Sequence, residues 1–406
     1  MSAAADHDRR YMRDESRPPP WCLMWLLLLV LRLVNWLQTA MLPPALRIAD
    51  MAFGGHSMAE VVRTTAALGL ADQLAQGPKT ALALARDIGA NAERLYRLLR
   101  FATAHGIFTA SCPSDRQQGP ETTFFCNNRL SACLREDHPN CQRHVILNCV
   151  GGQYLSGGWA LLEWGVRTGG PIFEKAYGEP FFEHCKSHPH LEENFSKAMT
   201  DIDHSCGNSI LQDYPWTRYQ CYVDIAGAYG SFMADLLAMN PQSIGILFDQ
   251  PHVISRAEAM WRDDPKRQAI AKRTSFASGD FFKPETLPCI KQAGSAWILR
   301  QICHDWPDQQ VLQILKSVRA AMGAAKPPCT LCLVEMVILG AGSPTADYRD
   351  RVRTASDLQM MINHDGKERD AAQWAELLTK AGFQLKKIIP TRSLFSIVEA
   401  VPSTEL

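Results

Sequence analysis

The residues best suited to chemistry lie in the second half of the 406-residue chain. His304 stands in Cys303-His304-Asp305-Trp306, just after the apolar run Ala296–Leu299 and Arg300. An imidazole with an ordinary pKa of roughly 6.5 accepts protons near neutrality, so at the carboxyl end of a strand it can serve a hydroxyl or thiol as general base. Two carboxylates are placed to orient it: Glu335, closing the run Thr330–Val334, and Glu368, in Gly366-Lys367-Glu368-Arg369. A carboxylate partner fixes the tautomer of a catalytic imidazole, although either glutamate taken singly reads as a surface charge.

A second group of residues has the pattern of a ligand cradle. Tyr222-Val223-Asp224-Ile225-Ala226-Gly227-Ala228-Tyr229-Gly230 passes from an apolar strand through an acid into a turn of small residues, and then into the helical run Ser231–Met239. Small residues let the backbone approach a ligand closely, as in nucleotide-binding turns. Asp249 ends the next strand, Ile244–Phe248, about 20 residues further on, the spacing at which a carboxylate takes ribose hydroxyls. Asp280 follows in Gly279-Asp280-Phe281-Phe282 at the end of another strand. Three strand ends thus offer acids to one crevice, with His304 at a fourth.

The elements needed to position these groups are legible in the alternation of patterns. From Gln220 onward, apolar runs (Cys221–Ala226, Ser243–Phe248, Ala296–Leu299, Thr330–Val337) alternate with helical stretches, which predicts an α/β domain with a parallel sheet covered on both faces. The texture changes near residue 215, giving a domain over 216–406 preceded by a mainly helical domain over 45–215. Within the latter, three helical segments between Ser57 and Phe108 and two short strands, Ile107–Ala110 and Thr122–Cys126, have a winged-helix outline. Arg94, Arg97 and Arg100 line one side of its third helix. They are the place where such a fold would read DNA, but 42 basic residues balance 42 acidic ones and no net field favours nucleic acid. A solvated face and a dimerisation role fit better, with a small molecule as partner. Thirteen scattered cysteines read as free thiols in a reducing compartment, cytoplasmic or organellar. Cys329 and Cys332 point to opposite faces of a strand, and no ligand spacing calls for a metal. Residues 1–44 form an extension whose apolar segment begins at Trp21; Arg32, Asn35 and Gln38 interrupt it before the ~20 apolar residues that span a bilayer. Packing on the body or on a second subunit is the plainer expectation, contact of residues 21–42 with a membrane surface or a role in organelle targeting the sharper one.

Taken together, Ile302-Cys303-His304-Asp305-Trp306, Phe248-Asp249-Gln250-Pro251-His252-Val253-Ile254, Gly279-Asp280-Phe281-Phe282 and Gly366-Lys367-Glu368-Arg369 resemble the plant caffeate-type and acetylserotonin-type O-methyltransferase family over roughly residues 45–400. The resemblance implies a winged-helix dimerisation domain, a homodimer, and a Rossmann-like domain that binds S-adenosylmethionine. It implies that Gly227 with its neighbouring turn, Asp224, Ala226 and Gly230, faces the methionine part, that Asp249 faces the ribose and that Asp280 with Phe281 faces the adenine; the planar fork of Arg300 suits a carboxylate, either the cofactor's own or that of an acidic substrate. His304 is then the base with Glu335 and Glu368 beside it, and Trp159, Tyr177, Phe195 and Met199 are acceptor-lining candidates, although such residues at helical spacing are more often core. Two departures stand out: Ala226 and Ala228 where relatives carry glycine, and Arg300 where the plant enzymes have lysine. O-methylation of a small molecule is the leading expectation. The runner-up is S-methylation of 4-methylthio-2-hydroxybutyrate in dimethylsulfoniopropionate biosynthesis, as in marine relatives, where Arg300 suits the substrate's carboxylate and no base is needed. Third is a dimeric binding module without turnover, its cofactor turn closed by the two alanines; a DNA-binding regulator is a distant fourth.

Overall fold

The computed structural model describes residues 18–150, 156–290, 294–323, 329–343 and 346–403. Two compact units emerge: one holds Leu33–Ser205, the other Pro18–Arg32 together with the chain from Cys206 onward. The division falls inside the long helix Pro189–Gln212, whereas the change of sequence texture near 215 marks where strands begin.

In the first unit, helices Gly55–Ala67, Leu70–Gln73, Ala81–Ile88 and Ala92–Ala104 are joined by a small antiparallel sheet of β1 (Lys79–Thr80, between the second and third of these helices), β2 (Thr109–Ser111) and β3 (Phe124–Cys126), in the order β1-β3-β2. Local chemistry sets the helix starts: Thr80 Oγ1 accepts the Ala83 amide and Asn91 Oδ1 the Arg94 amide, the usual satisfaction of orphan donors at a helix N-terminus. Leu84, Leu95, Leu99, Phe108 and Phe125 fill the core of this winged helix, and Arg94, Arg97 and Arg100 are exposed.

The second unit is built on a seven-stranded sheet. Its strands are β4 (Cys221–Ile225), β5 (Ile244–Asp249), β6 (Thr274–Ser278), β7 (Ser295–Arg300), β8 (Cys329–Glu335), β9 (Phe383–Pro390) and β10 (Ser396–Pro402), ordered β6-β5-β4-β7-β8-β10-β9. The first five are mutually parallel, and β10 runs antiparallel to both β8 and β9. β4 and β8 are buried at every residue and β7 at all but its last, the condition for strands that read as continuous apolar runs. The order reverses at β4, with β5 and β6 on one side and β7 and β8 on the other. In such sheets the crevice for ligands opens outside the carboxyl ends of the strands at this switch point. Cys329 and Cys332 are both buried in β8, and Cys332 Sγ lies 3.4 Å from the Tyr214 hydroxyl rather than paired with Cys329.

The N-terminal segment forms one unbroken helix, Trp21–Met41. Arg32, Asn35 and Gln38 do not interrupt it, since polar side chains leave the backbone ladder of a helix intact. By length and composition it is apolar enough to cross a membrane.

Candidate active site

Parallel strands ending along one rim bring the sequence-predicted residues together. Asp224 lies in β4, Asp249 ends β5, Asp280 follows β6, His304 follows β7 and Glu335 ends β8. Neighbouring strands keep them level: Ile225 pairs with both Phe248 and Leu299, Asp249 with Ser278, and Arg300 with Val334.

At the β4 end the backbone turns sharply. A Cβ on Gly227 would sit 2.6 Å from Asp224 Oδ2, so only glycine fits beside that buried acid. Ala226 and Ala228 take left-handed conformations, φ +57° and +51°, which cost an L-residue roughly 1–2 kcal/mol each. Asp249 holds the turn: its Oδ2 accepts the Ala228 amide at 2.9 Å and its Oδ1 the Gln250 amide at 2.7 Å, while burial raises its pKa. The two other non-glycine residues with positive φ among those described, Gln301 (+56°) and Asp365 (+54°), lie on the loops that carry His304 and Gly366. Strain of this kind persists where surrounding contacts over-determine a functional loop. Ala228→Gly should therefore remove the left-handed strain while freeing the unfolded chain by roughly 0.5–1 kcal/mol. The expected net result lies between no change and a gain of about 1.5 kcal/mol, read as an unchanged or slightly raised Tm; a fall in Tm contradicts the left-handed turn.

The β7 end carries the imidazole. His304 sits in a single 3-10 turn, Cys303–Asp305, and its Nδ1 lies 3.0 Å from Glu368 Oε1 while its Nε2 lies 3.6 Å from Asp305 Oδ1. Glu368 is itself fixed, its Oε1 accepting from the Ser356 hydroxyl at 2.8 Å and its amide donating to Asp357 Oδ1 at 2.9 Å. Glu335 stands beside the ring without bonding to it: its Oε1 accepts the amides of Cys303 (2.9 Å) and Ile302 (3.3 Å), bracing the backbone of the turn. Burial pushes the Glu335 carboxyl up to about 7, against the pull of the His304 charge. For His304 burial favours the neutral ring, but Asp305, Glu368 and Glu335 outweigh it and hold its pKa up to about 10, far from the ordinary value. His304, Glu335 and Glu368 offer ligand atoms within 4.8 Å of one another, but the amide and hydroxyl bonds just described already occupy one oxygen of each carboxylate.

Arg369, with no exposed side-chain surface, ties the whole loop down. It donates to the carbonyls of Cys303 (2.8 Å) and Trp306 (2.7 Å) and to Asp308 Oδ1 (2.9 Å). Trp306 reaches across to the β6 side, edge-on to Phe281 (6.1 Å) and Phe282 (5.0 Å). This joins the Asp280 loop to the His304 loop. Asp280 caps its own turn through the Phe282 amide, and Arg300 places its guanidinium over the Phe232 ring at 4.9 Å, on the helix that follows the small-residue turn. Sequence reasoning missed Arg369, Asp305, Asp357 and Ser356 as supports of the base. Arg369 and Asp305 had a signal, standing next to Glu368 and His304 in the same motifs; Asp357 and Ser356 are ordinary polar residues until folded.

The four acceptor-lining candidates belong to the other unit. Tyr177 stacks on Phe173 at 4.5 Å and receives the Gly157 amide, and Phe195 packs edge-on to Phe181 at 5.6 Å within the same aromatic cluster. Met199 is half-buried on the helix Pro189–Gln212, and Trp159 lies exposed in the helix Ser156–Ala160.

This arrangement is that of a methyltransferase, and comparison with known proteins agrees. Residues 159–384 match the O-methyltransferase domain and residues 51–137 the O-methyltransferase dimerisation domain. The chain is similar to a phenazine O-methyltransferase of Lysobacter antibioticus, at 30% identity over 86% of this chain and 94% of that one. It is also similar to the 8-amino-8-demethylriboflavin N,N-dimethyltransferase of Streptomyces davaonensis, at 29% identity over 84% and 91%. Among solved structures, an O-methyltransferase from neocarzinostatin biosynthesis in complex with S-adenosylmethionine and 2-hydroxy-5-methyl naphthoic acid matches with TM-score 0.66 and 27% identity, covering 85% of this chain and 96% of that one. The chain belongs to the O-methyltransferase family. It is an S-adenosylmethionine-dependent methyltransferase of small molecules, and a homodimer through its dimerisation domain. The residues present fit that cofactor, since the turn at Gly227 admits no side chain and acids stand at consecutive strand ends beside it.

Proposed function

We propose that the chain methylates a hydroxyl of a small molecule, with His304 as general base, Glu368 as the residue that orients it, and Glu335 as the brace of its turn. The observation that carries this reading is the 3.0 Å contact between His304 Nδ1 and the buried Glu368, which turns the other ring nitrogen, Nε2, to the proton-accepting role. Asp224, Ala226, Gly227, Gly230, Asp249, Asp280, Phe281 and Arg300 are the residues that would hold S-adenosylmethionine along the rim, with Trp159, Tyr177, Phe195 and Met199 kept as acceptor candidates on the other unit. Bound there, the sulfonium supplies an electrophilic methyl group, and alignment of acceptor and donor gives much of the acceleration. The protein's part is to align the two and to accept the hydroxyl proton at His304 Nε2.

The sign of the pH dependence follows from the raised pKa. Below about 10 the imidazole is protonated, so the fraction able to take a proton grows about tenfold per pH unit between 7 and 10. For a hydroxyl acceptor kcat/KM should climb over that window and level off above it. The stability contributed by the carboxylates around the imidazolium runs the other way, being complete below the unfolded value near 6.5 and lost as pH rises through about 10.

The same observation favours a second reading. A ring held in its charged form suits an acceptor with no proton to lose, such as the thioether sulfur of a methylthio-hydroxy acid. A pH profile flat between 7 and 10, measured with a labelled methyl donor, selects that reading over the hydroxyl one.

A further inference from the structure

The helix Trp21–Met41 is amphipathic in the reverse sense to a helix of a soluble protein. Residues 21, 24, 28, 32, 35 and 39, three and four apart, share one face. The first half of that face is covered by the protein itself, and its second half is tied by hydrogen bonds. Met24 and Leu28 are buried, Arg392 stacks over the Trp21 ring and donates to the Pro19 carbonyl, and Arg32 Nε donates to the Ala346 carbonyl at 3.1 Å. Further along, Arg47 donates to Asn35 Oδ1 at 3.2 Å and to the Thr39 hydroxyl. The opposite face carries Leu23, Leu26, Val30, Leu33, Leu37 and Met41, each between 39% and 76% exposed, without a charge among them. Trp25 and Trp36, 62% and 63% exposed, stand along its edge.

We propose that this helix lies on a lipid bilayer, its leucine face among the acyl chains and its tryptophans at the headgroup level, so that the enzyme works at a membrane surface. Three arguments favour lipid as the occupant. Arg32, Asn35 and Thr39 have partners within the protein, and the leucine face itself offers a partner protein no charge to set register, whereas paired helices use flanking charges for that purpose. A bilayer asks for no register, and an apolar face edged by tryptophan is what an interfacial helix presents. The helix also lies ahead of residue 51, where the match to the dimerisation domain begins. A spanning orientation is disfavoured because it would strip the helix from Arg392 and Arg47 and place Arg32 in hydrocarbon.

The test is flotation of the full-length protein with phosphatidylcholine vesicles, comparing wild type with the triple variant Leu26→Glu, Val30→Glu and Leu33→Glu. Calorimetric binding of S-adenosylhomocysteine reports whether each protein is folded, and light scattering gives its oligomeric state. Wild type should float with the vesicles, insensitive to salt, and remain removable by alkaline carbonate. The variant should float at least tenfold less while binding S-adenosylhomocysteine and dimerising as before. Wild type left at the bottom of the gradient, or a variant that floats equally, overturns the proposal. So does a variant that turns monomeric, which makes the face an interface between copies, and so does resistance to carbonate, which makes the helix a span.

Discussion

His304→Ala should lower kcat on a hydroxyl acceptor by roughly 10²–10⁴-fold, the usual contribution of a positioned base, while S-adenosylhomocysteine still binds. The methyl donor's own reactivity and its alignment survive the substitution, which is why the rate should fall to a residual level rather than to nothing. The alanine also leaves Glu368 buried without its imidazole, so some loss of stability is expected with it. His304→Gln separates the two effects. Its amide can still donate to Glu368 and fill most of the space, but it accepts no proton at neutral pH. A base requires both variants to be about equally slow. A glutamine variant near wild-type rate would make His304 a structural residue, and a loss of only a few fold in both would point to an acceptor without a proton.

What the sequence discloses of this site is the part held by strands. The acids at 224 and 249 could be placed because they lie in or at the end of apolar runs, a strong strand signal in a sheet of this type, whereas Asp280 follows the short polar strand Thr274–Ser278, none of it fully buried, and rests on its motif Gly279-Asp280-Phe281-Phe282. β9 and β10 were not anticipated. β9 is half-exposed and alternates irregularly, with Lys386 and Lys387 adjacent, and its pairing with β10 shifts register between Glu399 and Ala400. Edge hairpins of that sort carry little periodicity to read. The altered pKa of His304 was out of reach for another reason. Three carboxylates act on one ring from residues 305, 335 and 368, and their sum depends on distances set only by folding. The left-handed alanines show the intermediate case. A departure from glycine was visible in the letters, but its cost could be assigned only once φ was known.

Gly366→Ala should abolish most of the activity while sparing the cofactor end of the rim. A Cβ at 366 would overlap the carbonyl oxygen of His304 and come within 2.8 Å of the Asp305 carbonyl carbon, so the atoms in the way are backbone and cannot rotate aside. The neighbouring bonds leave the two loops no freedom to part: Lys367 N donates to the His304 carbonyl at 2.9 Å, and Arg369 grips Cys303 and Trp306 on either side. The collision must therefore move the turn that carries the imidazole, and displacement by even 1 Å at a reacting group can cost on the order of 10²-fold in rate. Asp249, Gly227 and Ala228 belong to the β4 and β5 ends and make none of these contacts, so affinity for S-adenosylhomocysteine should change by less than about threefold, within ~0.7 kcal/mol. Arg369→Met provides the control for stability. It removes a donor from the half-buried Trp306 carbonyl and leaves the buried Cys303 carbonyl with only the Trp306 amide at 3.4 Å, at a combined cost on the order of 1–3 kcal/mol, and should lower Tm by several degrees in addition to slowing the reaction. A Gly366→Ala enzyme with ordinary kcat would mean that the 366 loop does not press on the His304 turn, and the account of how that histidine is held would have to be given up.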